Sequence, residues 1–196
     1  MPVSPCTRLF PLKPLTLAFL VGLSGPSGAL VGDSGKQQAG KFYESALSYF
    51  AAEDYDGAII ELKNALQQDS KMLPALVLLG RAQLELGHGE AAETFLKEAV
   101  ANGADASLTA VPLAKARLLQ FKHDDVLGAP VPGQLPPTVL AELLLVRARA
   151  ALETSNREVF ETMLRDVERI DPQNEQLLTM RTAAAIQDGN LELART

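Results

Sequence analysis

One cysteine, two histidines and no tryptophan occur among the 196 residues. A lone cysteine excludes an internal disulfide and a thiolate cluster for a metal. Seven Phe and three Tyr leave few aromatic rings with which to fill a large core. No alternating run of β-branched residues argues for a sheet. No phosphate-binding glycine loop, nucleophile elbow or metal-ligating helix motif appears. Positive charge is also short, with 18 Lys and Arg against 24 Asp and Glu and a net charge of −6. Such a balance argues against general nucleic-acid binding, which draws its affinity from neutralised phosphates. What the chain has in quantity is alanine and leucine, within a 47% hydrophobic composition suited to close-packed helices.

The apolar residues are organised by a fixed interval. A small residue recurs every 34 positions, at Ala46, Gly80, Ala114, Ala148 and Thr182. In the same register, 12 residues further on, stand Ala58, Ala92, Val126, Phe160 and Ala194. A third set, 19 residues after the first, is Ala65, Ala99, Gly133 and Val167, and between the second and third lie Leu62, Leu96 and Leu164. Small residues let two helices approach closely, and the leucines fill the remaining space. Turns fall in register too, at Glu53-Asp54, Gly87-His88, Phe121-Lys122, Ser155-Asn156 and Gly189-Asn190. The segments starting at Lys41 and Leu73 resemble the tetratricopeptide repeat, two antiparallel helices per 34 residues. The resulting expectation is an all-α solenoid of about 4.5 repeats, because each unit needs a neighbour to cover its apolar face.

Ahead of the repeats, Arg8 and Lys13 precede an apolar run from Leu15 to Leu23 and then small residues. The run is too short for a membrane span of roughly 20 residues and reads as a secretory signal with cleavage at Ala29-Leu30, or as an uncleaved N-terminal anchor. Residues 1–29 are therefore assigned to the leader, 30–38 to a linker and 39–196 to the array, with units 39–72, 73–106, 107–140, 141–174 and a partial 175–196. Removing the leader takes the net charge to −8, since it holds two cations and no acid.

The third unit departs from the pattern. Residues Lys122 to Leu127 allow one or two helical turns, but Pro130, Pro132, Pro136 and Pro137 forbid a continuous second helix. A Pro-rich surface connector in place of helix B is expected there. The fifth unit ends a turn or so into its second helix, with no polar capping helix after it.

The wording narrows the resemblance. The run KFYESALSYFAAEDYDGAIIELKNALQQDSKMLPALVLLGRAQLELG (41–87), the NGAD turn at 102–105 and the LAKARLLQFKHDDVL segment at 113–127 resemble the tetratricopeptide lipoproteins of the PEP-CTERM/exosortase system, the PrsT family. The resemblance covers roughly residues 36–196. It implies an exported scaffold in the periplasm or envelope of a Gram-negative bacterium, tied to exopolysaccharide production or PEP-CTERM protein sorting. It supplies no catalytic residue and no cofactor. Pro26 follows Leu23-Ser24-Gly25 where the family carries its lipidated cysteine, so lipid attachment is not expected, although an uncleaved leader would still associate with the membrane. A general envelope- or pilus-assembly adaptor is the alternative, and a glycan-active enzyme a more distant one.

Binding is expected on the concave face formed by the A helices. One residue past each small position gives Arg81, Lys115 and Arg149, three cations in register that suit a protein or peptide partner with an acidic segment, or an anionic glycan. Arg81 and Arg149 also have Glu85 and Glu153 at i+4, whereas Lys115 has Leu119 at that spacing and so no local acid. Tyr43, Val77, Val111 and Leu145 form an apolar line beside the cations. Phe50, Leu84, Leu118 and Leu152 serve either that groove or the core. The later repeats of a longer homologue are a further candidate partner. His88 and His123, in the turns, are expected to be solvated, with no metal ligands around them.

Overall fold

The computed structural model describes residues 28–189. The expected leader lies almost wholly outside them. The described residues form nine helices: α1 (Gly28–Ala51), α2 (Tyr55–Gln68), α3 (Leu73–Glu85), α4 (Gly89–Ala101), α5 (Ala106–Leu119), α6 (His123–Gly128), α7 (Pro137–Glu153), α8 (Arg157–Ile170) and α9 (Glu175–Gln187). Residues 30–38, expected as a linker, lie inside α1. The segment contains Gly and Ser but no proline to stop the helix, and Ala39 is already buried in it. No described helix is long and apolar enough to cross a membrane.

Successive helices pair antiparallel, and α3, α5, α7 and α9 also touch one another in sequence. The odd-numbered helices thus form one layer and the even-numbered ones the other. Small residues set the spacing within a pair. Ala46, Ala58, Ala65, Ala92, Ala99 and Ala148 have no accessible surface, and Leu62, Leu96 and Leu164 are equally enclosed between them. At Gly80 a Cβ would stand 2.6 Å from Leu96 Cγ, so even alanine overpacks α3 against α4. Among the described residues the register weakens at Gly133, which is exposed beyond the end of α6, and at Thr182, which is half-buried.

The turn between paired helices is a repeated backbone device. Residues 53, 87, 121, 155 and 189 all have positive φ, between 57° and 76°. One residue later, the N–H groups of Asp54, His88, Lys122 and Asn156 donate to the carbonyls of Tyr49, Gln83, Arg117 and Ala151, at 2.8–3.0 Å. This six-residue closure satisfies a carbonyl orphaned at the ends of α1, α3, α5 and α7. Asp54 and Asn156 then cap the next helix through bonds from the Gly57 and Val159 N–H groups. Glycine suits the left-handed position, yet Glu53, Phe121 and Ser155 occupy three of the five. Replacing Ser155 with Gly should therefore raise stability by about 0.5–1 kcal/mol in urea denaturation, the relief of left-handed strain exceeding the entropy that glycine adds to the unfolded chain.

The junction between the second and third repeats has a polar core. Glu93 of α4 is nearly enclosed, and its carboxylate accepts from Lys97 (2.7 Å), Arg117 (3.2 Å), Lys122 (2.8 Å) and Gln120 (3.0 Å). Gln120 also donates to the Gly89 carbonyl at 3.1 Å, where a Cβ would stand 2.8 Å from the Ala116 oxygen. Burial by itself raises the Glu93 pKa, but the four donors outweigh it and hold the carboxyl well below the usual range. Its folded pKa being the lower one, Glu93 stabilises fully above about pH 4.3, the unfolded value, and the contribution fades as pH falls towards the folded value. Glu93→Gln should cost about 1–3 kcal/mol at pH 7 in urea unfolding, and its gap from the parent should narrow below about pH 4.

The third repeat keeps a remnant of its second helix, the six-residue α6, followed by the expected Pro-rich connector. Val126 is buried from α6, while Leu127 and Leu135 pack beside it on the α5–α7 cluster. Arg147 answers the truncation. It stands in register with Leu79 and Leu113, but is buried and donates to the Ala129 carbonyl just past the end of α6. A cation at that end suits the partial negative charge of unsatisfied helix carbonyls. Burial lowers the Arg147 pKa, and its Nε has no partner. Phe160, where small residues stand in other repeats, is fully enclosed in a cluster to which Leu127 of α6 contributes.

Candidate functional site

The layer of odd-numbered helices curves around an elongated cleft. Its larger part encloses about 770 Å³ between α3, α5, α7 and the start of α9, and a second part of about 430 Å³ continues between α1, α3 and α5. Arg81 and Leu108 line both parts. The seven residues expected on the concave face all border this cleft: Tyr43 and Val77 the smaller part, Lys115, Val111, Leu145 and Arg149 the larger, and Arg81 both.

Their surroundings differ from expectation. Lys115 is not free: its ammonium bonds Glu142 of α7 at 2.7 Å. Arg81 makes no pair with Glu85; its guanidinium lies 5.5 Å from the centre of the Phe50 ring, from the preceding repeat. Only Arg149 pairs as expected, with Glu153 at 3.0 Å. Since Glu85, Glu142 and Glu153 all line the larger part with the three cations, the ladder is locally neutral and not a positive stripe.

Val77, Val111 and Leu145 are buried and form the floor, with Tyr43 half-buried beside them. Leu84 and Leu118 do both jobs, packing against the core and lining the cleft. The accessible apolar surface comes from residues outside the expected set. Leu47, Leu108, Leu119 and Phe121 are 42%, 57%, 47% and 78% exposed, and each lines the cleft. The signal for Phe121 was its register with Gly87 and Gly189 at the left-handed turn position. No comparable signal marks Leu108, whose exposure follows from the curvature of the helix layer. Pro112, in the middle of α5, also lines the cleft and lacks the N–H that the Leu108 carbonyl would otherwise accept from.

The turn histidines are engaged rather than simply solvated. His88 Nδ1 lies 2.9 Å from Gln83 Oε1, and His123 Nε2 lies 2.8 Å from Glu153 Oε2. Burial raises the pKa of Glu153, but contacts with His123 and Arg149 outweigh it and hold the carboxyl below its ordinary value. Among the described residues no group of three or more His, Cys, Asp or Glu is placed to hold a metal.

Residues 49–118 match the tetratricopeptide repeat family. The chain folds as a tetratricopeptide repeat array. Two solved tetratricopeptide proteins are similar in structure. YrrB, described as having an unusual peptide-binding site, superposes with a TM-score of 0.58 at 13% identity, over 83% of this chain and 84% of that one. TTC0263, a thermophilic protein from Thermus thermophilus, gives a TM-score of 0.58 at 19% identity, over 80% and 86%. No curated protein sequence matches the chain. In this array the A helices supply the cleft and the B helices supply its outer layer.

The Lys115–Glu142 pair can be tested by charge exchange. Lys115→Glu should cost up to about 1 kcal/mol, since both partners are half-exposed and water weakens the pair. Adding Glu142→Lys should recover most of that loss in a double-mutant cycle read by thermal unfolding.

Proposed function

We propose that the chain is a non-enzymatic scaffold that binds a peptide segment of a partner protein along its concave cleft. The observation that carries this reading is the accessible apolar surface of Leu108, Leu119 and Phe121 within the cleft. Water-exposed apolar side chains gathered in a concavity mark a recognition surface more than they mark a stable monomer face. Proteins of this fold commonly serve protein–protein interaction, and the peptide-binding site ascribed to YrrB supports the same class of occupant.

The setting we propose is the envelope of a Gram-negative bacterium, reached by export through the leader, with a role in exopolysaccharide production or PEP-CTERM protein sorting. The leader of residues 1–29 and the PrsT-like wording of residues 41–127 support it. Cleavage is placed near Ala29, without a lipid anchor.

A photo-crosslinking amino acid in place of Leu108, in the intact native envelope, tests partner and setting together. Covalent adducts with exopolysaccharide or PEP-CTERM sorting proteins are expected. Adducts confined to pilus or outer-membrane assembly factors would overturn the assignment of setting. Mass spectrometry of the same sample should find the mature N terminus near Leu30 without an acyl chain; retained Met1 on a cytoplasmic protein would contradict export.

A further inference from the structure

Phe121 stands in a place that neither its backbone nor its side chain favours. Its φ is 57°, a left-handed conformation that residues other than glycine rarely adopt. The equivalent turn positions of the second and fifth repeats hold glycine, with φ of 76° and 71°. The ring is 78% exposed, so burial does not offset that strain. Among the described residues its one aromatic neighbour is His123, edge-on at 6.2 Å. That imidazole is fixed from α7 through Glu153, which Arg149 also holds. Phe121, Leu119 and Glu153 border the same part of the cleft, and His123 lies between the ring and that carboxylate.

The charges of the cleft are distributed unevenly. On α5 and α7, Lys115 is closed on Glu142 and Arg149 on Glu153. On α3, Arg81 and Glu85 have no ion-pair partner among the described residues. A ligand therefore meets an apolar end with its charges already satisfied, and an α3 end where one cation and one acid still face water.

We propose that Phe121 is the anchoring side chain of this cleft, and that its occupant is an amphipathic peptide segment of a partner protein, with a large aliphatic or aromatic residue packed on Phe121 and Leu119 and an acidic residue directed to Arg81. This rests on the peptide-binding reading above and adds the residue and chemistry that select the peptide. The ring already stands exposed at the edge of the cleft, where an apolar peptide side chain can cover it.

The test is a random peptide library displayed on phage and selected against the full chain, followed by titration of the enriched peptides. Those peptides should carry a bulky apolar residue together with an acid. Phe121→Gly should weaken their binding at least tenfold while raising the melting temperature, because glycine accepts the turn conformation. Phe121→Leu should retain part of the affinity. Arg81→Gln should weaken binding by a factor that shrinks at high salt. Binding that is lost in Leu108→Glu but unchanged in Phe121→Gly overturns the anchor and leaves the cleft reading standing. Enriched peptides that lack either the apolar residue or the acid overturn the partner chemistry. No enrichment at all, or binding indifferent to Leu108→Glu, overturns the cleft reading as well.

Discussion

Close approach of helix backbones is the constraint on which this molecule depends. A single helix pair here leaves an apolar face that nothing within the pair can cover, and the next pair covers it only if the axes come near enough. Alanine and glycine at the recurring positions permit that approach. The tightest case is Gly80 against Leu96, where the missing methyl group leaves room for a leucine with no accessible surface. Once spacing is set in this way, the odd-numbered helices lie side by side and curve. Residues one step past each small position are then carried to the concave side, which is why Arg81, Lys115 and Arg149 share a cleft.

The third repeat shows how the array tolerates a local failure of that rule. Prolines end α6 after six residues, so α7 loses much of the helix it would otherwise pack against. Arg147 takes the place that leucine holds in the two preceding repeats and bonds the Ala129 carbonyl. Phe160 supplies volume inside the next pair, where other repeats have a small residue. On the other side, Glu93 ties α4 to α5 and the following turn through Arg117, Lys122 and the Gln120 amide. An unpartnered Arg147 Nε is the remaining cost of the arrangement.

Much of this was legible in the chain because repeats make local rules visible several times. Helix pairs, small-residue contacts and the five left-handed turns all follow from one interval, and each copy checks the others. Contacts between repeats were not legible. Lys115 looked free because its acid, Glu142, is 27 residues away on another helix. Arg81 had an acid one turn along, yet the face of Phe50 from the preceding repeat claims it. Whether an apolar residue such as Val111 or Leu108 becomes floor or accessible wall depends on the curvature of the helix layer, which no local pattern encodes. Residues 30–38 have the small and polar composition of a linker, yet α1 runs through them.

The central claim is that the concave layer of A helices is the recognition surface. Backbone amide chemical-shift mapping of the full chain, with a saturating library-selected peptide, tests it most directly. The account predicts that the largest perturbations cluster on α3, α5 and α7, around Leu108, Lys115, Phe121 and Arg149. Perturbations confined to α2, α4 and α8, on the outer layer, would contradict it.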